Sequence, residues 1–431
     1  MASIKVAYLG GGSTRAVGTV ASFIQKGDQF AGSEIVLIDL NDDSLALVQR
    51  LGTRMAFHAG VDIKITATTD RREGLRDCQA LLSSFRPGGF EARALDERIP
   101  LKHGVIGQET QGPGGFFMAL RSIAVMKEVA AEMAEVCPKA IIFNYTNPVN
   151  IVSQALTSFT DIPTISFCEG PIVFPQRLAR AASLDPEKLH VEMSGVNHNC
   201  WSTKHIHDGE DFITKLRFAL ANSDLKMTED DRRLLSLAVR MESVPSSYFL
   251  YYYFKDEILR HLQAAPKTRA EEIMGLAPGY WQHYREQVEA SPPTLDPARS
   301  RGGIHELELA IDAMAAYFND ERAVLPVNLP NTDGAVPGFV SELVVEMPAI
   351  VDGSGFKPIP QARLPHQTVG LVHALAEYQI LTAHAAWKGD VNDGIRALTA
   401  NPLVPSLPVA EALYTEMAYA HAKYLPERLV P

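Results

Sequence analysis

Apolar positions along this chain come in two textures, short unbroken runs and longer stretches at helical spacing. Residues 4–9 (Ile-Lys-Val-Ala-Tyr-Leu) form a run that ends in Gly10-Gly11-Gly12 and passes through Ser13-Thr14-Arg15 into a helical pattern. A second run, Glu34-Ile35-Val36-Leu37-Ile38, ends in Asp39. Short apolar runs bounded by turn residues and separated by helical patterns predict strands of a parallel sheet covered on both faces. Further strands are predicted over 62–66, 79–85, 139–144 and 163–167, and a short helix over 71–76. A long helix is predicted over 116–136, where Met118, Ile123, Met126, Val129 and Met133 share one face ahead of Pro138. The alternation predicts an α/β fold with an N-terminal doubly wound, Rossmann-like parallel sheet.

Beyond residue 172 the alternation fades. Helices are predicted near 229–241, 248–262, 269–290 and 304–318, and strands near 191–195, 201–206 and 343–346. The Gly- and Pro-rich segment 347–360 reads as a surface loop or subunit contact, and 365–387 and 409–424 as packing helices. A length of 431 residues exceeds one ordinary core. The expected division is a dinucleotide-binding domain over 1–171 and a mixed α/β catalytic domain over 172–431, an architecture like that of lactate and malate dehydrogenases.

Composition narrows the class. With 46% hydrophobic and 21% charged residues, no long apolar run and no leader-like start, the expectation is a cytoplasmic enzyme without a membrane partner. A net charge of −11 argues against nucleic acid, while Arg86, Arg93, Lys102 and Arg301 could line a local basic pocket for a small anion. Cys78, Cys137, Cys168 and Cys200 lack the paired spacing of a disulfide framework or a structural zinc site.

The glycine run is built for an anion. Glycine allows close approach of backbone to a pyrophosphate, and the following helix adds its positive N-terminal end, so Gly10, Gly11, Gly12, Ser13, Thr14 and Arg15 are expected to hold a dinucleotide. Arg15 stands where a third glycine would complete the fingerprint. Asp39, at the end of the second strand, can accept from ribose hydroxyls, which points to NAD rather than NADP. Asn144-Tyr145-Thr146-Asn147-Pro148 follows a predicted strand at the edge where open sheets bind ligands, and Asn144 is expected to touch the cofactor.

Two further positions suggest a metal. Cys168 follows a strand and precedes Glu169-Gly170-Pro171, and His198 sits in the polar run Gly195-Val196-Asn197-His198-Asn199. A thiolate and an imidazole can hold a divalent transition metal and leave most of its coordination sphere to substrate oxygens. His205 and His207, which share a strand face, are a competing pair without an evident third ligand. Tyr248, Tyr251, Tyr252 and Tyr253 crowd one segment; such rings are packing in the main, although one could serve as a base beside cations.

Taken together, Phe85-Arg86-Pro87-Gly88-Gly89-Phe90-Glu91-Ala92-Arg93, Ile99-Pro100-Leu101-Lys102-His103-Gly104, Gly107-Gln108-Glu109-Thr110 to Gly114-Gly115, Asn144 to Pro148, Cys168 to Pro171, Gly195 to His198 and Arg301-Gly302-Gly303 occur in one order. In these blocks, from Ile4 to about Gly303, the chain resembles glycoside hydrolase family 4, the NAD- and manganese-dependent glycosidases, most closely their 6-phospho-glycosidase branch. That family departs from the two-carboxylate mechanism of glycoside hydrolysis.

The resemblance implies a redox route: hydride transfer from C3 of the glycone to NAD, removal of the C2 proton by a tyrosine, departure of the aglycone from C1, addition of water and return of the hydride. It implies Mn²⁺ or another divalent metal on Cys168 and His198, and Tyr248 as base. Glu169 and Glu109 become further catalytic carboxyls, and Arg93, Asn147 and Arg301 substrate-binding residues. Glu169 stands where phospho-α relatives carry Asp and phospho-β relatives Asn, which implies an acid for the leaving oxygen and a bias to α-linked substrates. Val149-Asn150 and Glu306-Leu307 depart from the phospho branch and leave a free glycoside as an alternative to a 6-phosphorylated one. A small-molecule glycoside as partner and a homo-oligomer, dimer or tetramer, are expected. The alternative enzyme class is an NAD-dependent hydroxy-acid dehydrogenase.

Overall fold

The computed structural model describes residues 2–222, 224–301 and 308–431. Among them twelve strands form one sheet: β1 Lys5–Leu9, β2 Ser33–Ile38, β3 Ile63–Thr68, β4 Ala80–Ser83, β5 Ile141–Asn144, β6 Thr164–Ser166, β7 Leu189–Val196, β8 Asn199–His207, β9 Glu210–Asp211, β10 Ala323–Pro330, β11 Val344–Asp352 and β12 Gly355–Pro358. The spatial order is β3-β2-β1-β4-β5-β6-β10-β11-β7-β8-β9, with β12 paired to β11. β1 to β6 run parallel in the order of doubly wound dinucleotide-binding sheets, as the sequence predicts. From β6 the sheet continues antiparallel through one pairing, Asn328 with Ser166, into the mixed half.

Every residue of β4 and β5 is buried, which is why these strands read as unbroken apolar runs rather than alternating ones. Because the six strands are parallel, their carboxyl ends put Gly10, Asp39, Ser84, Tyr145 and Phe167 along one edge. The site is built there.

The long helix expected over 116–136 spans Gly112–Val136, an added turn that begins with Pro113 in the first helical positions. Two glycines in that turn matter. A Cβ on Gly115 would lie 2.3 Å from the carbonyl carbon of Thr110, and one on Gly114 would lie 2.5 Å from the carbonyl oxygen of Gln108. Only glycine lets residues 108–111 fold back over the helix start, which carries Glu109 and Thr110 toward the sheet edge.

Other expectations are corrected. The strand read as 343–346 runs on through Asp352, and Met347, Ala349 and Val351 of the expected surface loop are buried. Val345, Met347, Ala349 and Val351 alternate, and Pro348 pairs with Pro326 of β10 across the ladder, so the prolines punctuate a strand instead of ending it. The helix read over 248–262 is broken into a turn at Ser247–Phe249, a short helix Leu250–Tyr253 and a helix Lys255–Ala264. Phe254 leaves helical dihedrals at the break (φ −124°), while Phe249 and Tyr253 pack on Trp201 at centroid distances of 4.5 and 5.9 Å. The first residues of the helix expected from 304 lie outside the described residues, which resume at Glu308.

The C-terminal segments do more than pack. After the helices His366–Lys388 and Leu407–Ala420, His421 Nε2 lies 2.9 Å from Asp96 Oδ1, and Asp96 takes two bonds from the fully buried Arg121, at 3.0 and 2.5 Å. Removing one member of such a buried pair costs about 3–5 kcal/mol because the other charge is stranded. Tyr424, just beyond, packs over Gly88, where a Cβ would lie 2.8 Å from its ring. Among the described residues no helix is long and apolar enough to cross a membrane.

Candidate active site

A cleft of about 1690 Å³ opens along the carboxyl edge of the parallel strands. Gly10, Gly12, Ser13, Thr14, Arg15, Asp39, Arg86, Phe90, Asn147, Arg301 and Tyr424 are on its wall. It is larger than the roughly 300–1,000 Å³ of an ordinary small-ligand pocket, as a dinucleotide with a substrate requires.

The glycine loop acts differently from the simple expectation. The amides of Gly10 and Gly11 donate to Ile38 O at 2.9 and 3.1 Å, that of Gly12 to Asp39 Oδ2 at 2.9 Å and that of Ser13 to Gly10 O at 3.1 Å. These four are spent within the protein. What the glycines supply is closeness: Gly10 has φ +99°, and a Cβ there would lie 2.1 Å from Ser84 O. Gly11 is turned to β2, where a Cβ would meet Leu37 at 2.7 Å. An anion is left to Ser13, Thr14 and Arg15 at the start of the helix Ala16–Gln25, and Ser13 Oγ is buried without a hydrogen-bond partner among the described residues. Asp39 accepts one amide on each oxygen, from Gly12 and from Leu40 at 2.7 Å, and a carboxylate has lone pairs to spare for ribose hydroxyls. The tight loop, the unpartnered hydroxyl and the strand-end acid fit NAD.

Asn144 is engaged within the protein. Its Oδ1 accepts from Ser83 Oγ at 2.7 Å and from Thr146 N at 2.9 Å, its Nδ2 donates to Ser166 Oγ at 3.3 Å, and it is wholly buried. It ties β4, β5 and β6 together and is not among the residues on the cleft wall. Asn147, three residues on, is on the cleft wall with Oδ1 buried and unpartnered among the described residues, the mark of an atom awaiting a ligand.

Glu109 is clamped between two arginines, paired with Arg86 Nη2 and with Arg93 Nη1 at 2.6 Å. Against the opposing effect of burial, the two guanidiniums hold its carboxyl well below the ordinary carboxylate range. So held, the Glu109 carboxylate braces both arginines. Arg93, expected at substrate hydroxyls, also donates through Nε to Glu97 Oε1 at 2.7 Å. Arg86 and Arg301 lie over the Phe90 ring, at 5.2 and 4.3 Å from its centroid. Gly302, Gly303, Glu306 and Leu307 lie outside the described residues.

Cys168, His198 and Tyr248 form a second group that joins the cleft through Tyr145, on the cleft wall, whose hydroxyl donates to Glu169 Oε1 at 2.8 Å. Cys168 follows β6 and its Sγ accepts from Gly170 N at 3.3 Å. Burial, then the charges of Glu346 and Glu169, push its thiol up, and Asn197 opposes them with a hydrogen bond. His198 occupies the two-residue turn between β7 and β8 with φ +63°, and its carbonyl accepts from Ser246 Oγ at 2.5 Å. Burial lowers its pKa to about 4, so the imidazole is neutral. The Tyr248 ring stacks on it at 3.9 Å, with Phe174 edge-on at 6.0 Å. Burial and the charges of Cys168 and Glu109 push the Tyr248 phenol up, while Arg93 pulls it down.

The donor chemistry fits a divalent transition metal, since a thiol and a neutral imidazole are both ligand types for such an ion. Among the described residues no cluster of three or more His, Cys, Asp or Glu side chains is placed to hold a metal. The competing pair is otherwise engaged. His205 Nδ1 lies 3.0 Å from Ser202 Oγ, and His207 lies 3.0 Å from Asp185 O and 3.2 Å from Lys215 Nζ. All four cysteines are free thiols.

Sequence reading missed two features of the site. Thr110 belongs to the Gly107-Gln108-Glu109-Thr110 motif, and its Oγ1 is 2.8 Å from His198 Nδ1. Glu346, on β11, accepts from Asn197 and Asn328 at 2.8 and 3.2 Å, close enough for its charge to act on Cys168. Only its lone acid among apolar strand neighbours could have flagged it.

The chain is 34% identical over 438 residues to a probable 6-phospho-β-glucosidase of Bacillus subtilis (strain 168), covering 98% of each. It is 31% identical over 439 residues to a 6-phospho-β-glucosidase of Escherichia coli (strain K12), covering 98% of this chain and 96% of that one. The structure of the Thermotoga maritima 6-phospho-β-glucosidase with manganese, NAD⁺ and glucose-6-phosphate is similar with a TM-score of 0.86 at 25% identity, over 98% of this chain and 99% of that one. Residues 5–184 match the family 4 glycosyl hydrolase profile and residues 193–404 that of the family's C-terminal domain, so the chain belongs to family 4 of the glycosyl hydrolases.

Proposed function

We propose that this protein cleaves 6-phospho-glucosides by the NAD- and metal-dependent route of its family, with residues 1–171 carrying the dinucleotide and 172–431 completing the catalytic site. The observation that carries the reading is the grouping of Cys168, His198 and Tyr248 beside a cleft that begins at the glycine loop. When bound, NAD supplies reversible hydride acceptance and the divalent metal supplies stabilisation of oxyanion charge. Ser13, Thr14 and Arg15 face the dinucleotide phosphates and Asp39 its ribose. Cys168 and His198 hold the metal, and Asn147 Oδ1 orients a sugar hydroxyl. Tyr248 Oη takes the C2 proton, and Glu109 keeps Arg86 and Arg93 in place rather than donating a proton.

The 6-phosphate is supported by Arg86, Arg285 and Arg301 on one cleft wall and by the names of the relatives. A β-linkage is favoured over the α-bias expected from Glu169. Glu169 Oε1 accepts from Tyr145, and the Bacillus subtilis and Escherichia coli relatives described above are named for β-linked substrates. A phosphorylated substrate and NAD are both cytoplasmic metabolites, which supports that compartment. Phe57 and Phe218, apolar and largely exposed, are surface that a homo-oligomer would cover.

A panel of phosphorylated and free nitrophenyl α- and β-glucosides, assayed with NAD and Mn²⁺, tests this reading. Turnover of the 6-phospho-β-glucoside well above the others supports it. Faster turnover of free glycosides rejects the phosphate, and net NADH accumulation with a hydroxy acid would indicate a dehydrogenase instead.

A further inference from the structure

The proposed metal site does not say which nitrogen of His198 faces the metal, and the hydrogen bonds around Thr110 answer that. Thr110 Oγ1 has three polar neighbours: His198 Nδ1 at 2.8 Å, Gln108 Oε1 at 3.0 Å and Gln111 Nε2 at 3.2 Å. A hydroxyl has one proton to donate and two lone pairs to offer. The Gln108 atom is an oxygen, because it also accepts the backbone N–H of Thr110 at 2.8 Å, and a backbone amide can only donate. The Thr110 proton therefore goes to Gln108. Gln111 presents its NH₂ to Thr110 and its Oε1 to the Tyr252 hydroxyl at 2.7 Å. The remaining neighbour, His198 Nδ1, has to be a donor; with a lone pair there, two acceptors would compete for one proton.

We infer that Thr110 is a positioning residue that locks His198 in its Nδ1–H tautomer and so presents the Nε2 lone pair to the metal, with Gln108 setting the direction of the Thr110 hydroxyl. A partner on the far nitrogen of a ligating histidine fixes both ring orientation and basicity. The surroundings leave the ring little freedom. Its backbone is held in the left-handed region, its carbonyl is bonded to Ser246, and Tyr248 covers one face. Gly114 and Gly115 serve the same end, since a side chain on either would push residues 108–110 away. Tyr252, at the far end of the chain of hydrogen bonds, belongs to this support.

The inference rests on His198 being a metal ligand, and the experiment separates the two claims. In metal-free ¹⁵N-histidine-labelled protein, with His198→Ala used to assign the signal, long-range ¹H–¹⁵N correlation should show Nδ1 protonated and Nε2 bare. Mn²⁺ binding to the NAD-loaded protein without substrate, followed by electron paramagnetic resonance, should weaken about 10- to 100-fold in Thr110→Val. Thr110→Ser, which keeps the hydroxyl, should restore it, and NAD affinity should stay constant across the series. An Nε2–H tautomer in the wild type, or wild-type Mn²⁺ affinity in Thr110→Val, overturns the inference. Undiminished Mn²⁺ binding in His198→Ala would overturn the metal site itself. Should Thr110→Val fail to fold, the wild-type tautomer still decides.

Discussion

The ring of Tyr248 lies flat on the imidazole of His198, with centroids 3.9 Å apart and planes within 8°. The residue assigned to take a proton is thereby held by the residue assigned to hold the metal. Tyr248 comes from the turn at Ser247–Phe249 and His198 from the turn between β7 and β8, and Ser246 bonds the two turns together. Any change that frees one ring moves the other.

Removing either metal ligand tests that coupling. Cys168→Ala and His198→Ala should each abolish metal-dependent turnover while leaving NAD affinity within about threefold, since a factor of ten would need about 1.4 kcal/mol. Titration of NAD fluorescence quenching alongside steady-state assays reads both. Wild-type turnover in either purified variant after metal removal would show that the pair is not the metal site.

Asp39 should set the choice of cofactor. With its carboxylate at the end of β2, braced by the amides of Gly12 and Leu40, a 2′-phosphate would meet negative charge where NAD offers hydroxyls. Calorimetric titration should give NAD⁺ tighter binding than NADP⁺, and Asp39→Ser should narrow the gap. Tighter NADP⁺ binding by the wild type would refute the assignment.

The parts of this fold and site that could be read from sequence are the local ones. Gly10 to Gly12 followed by a helix, and Asp39 closing a strand, sit within one βαβ unit, so the loop was legible. Cys168 and His198 stood out as ligand types in polar runs after strands, and the resemblance singled out Tyr248 among its neighbours. What escaped depends on distant partners. The Thr110–His198 bond joins residues 88 apart in sequence, and the Arg86 and Arg93 clamp on Glu109 depends on the fold-back over Gly114 and Gly115. Pro326 and Pro348 obscured β10 and β11 because proline's usual exclusion from strands gives way where two prolines face each other in the ladder. Asn144 was polar at the right edge, yet its neighbours had already taken its amide.

Acid should destabilise the metal-free protein through His198. Its pKa is about 4 in the fold against roughly 6.5 when unfolded, so between these values the unfolded chain binds the extra proton. Stability is then unaffected above pH 6.5 and falls as the pH drops toward 4, by on the order of 3 kcal/mol at the limit. Urea denaturation of the apo-protein at several pH values should show this slope, and His198→Asn should flatten it. An equal slope in the variant would assign the acid sensitivity elsewhere.

The central claim is that the glycosidic bond breaks by elimination after loss of the C2 proton to Tyr248, and solvent deuterium tests it most directly. A proton that leaves the sugar in every productive turnover must be replaced from solvent. Product formed in D₂O from a 6-phospho-β-glucoside, with NAD and Mn²⁺ present, should therefore carry deuterium at C2 by NMR. Tyr248→Phe, which keeps the stacked ring and loses only the hydroxyl, should lower turnover about 10²- to 10⁴-fold with little change in melting temperature, whereas Tyr253→Phe should be nearly silent. Product with protium retained at C2 would contradict both the elimination route and the role of Tyr248.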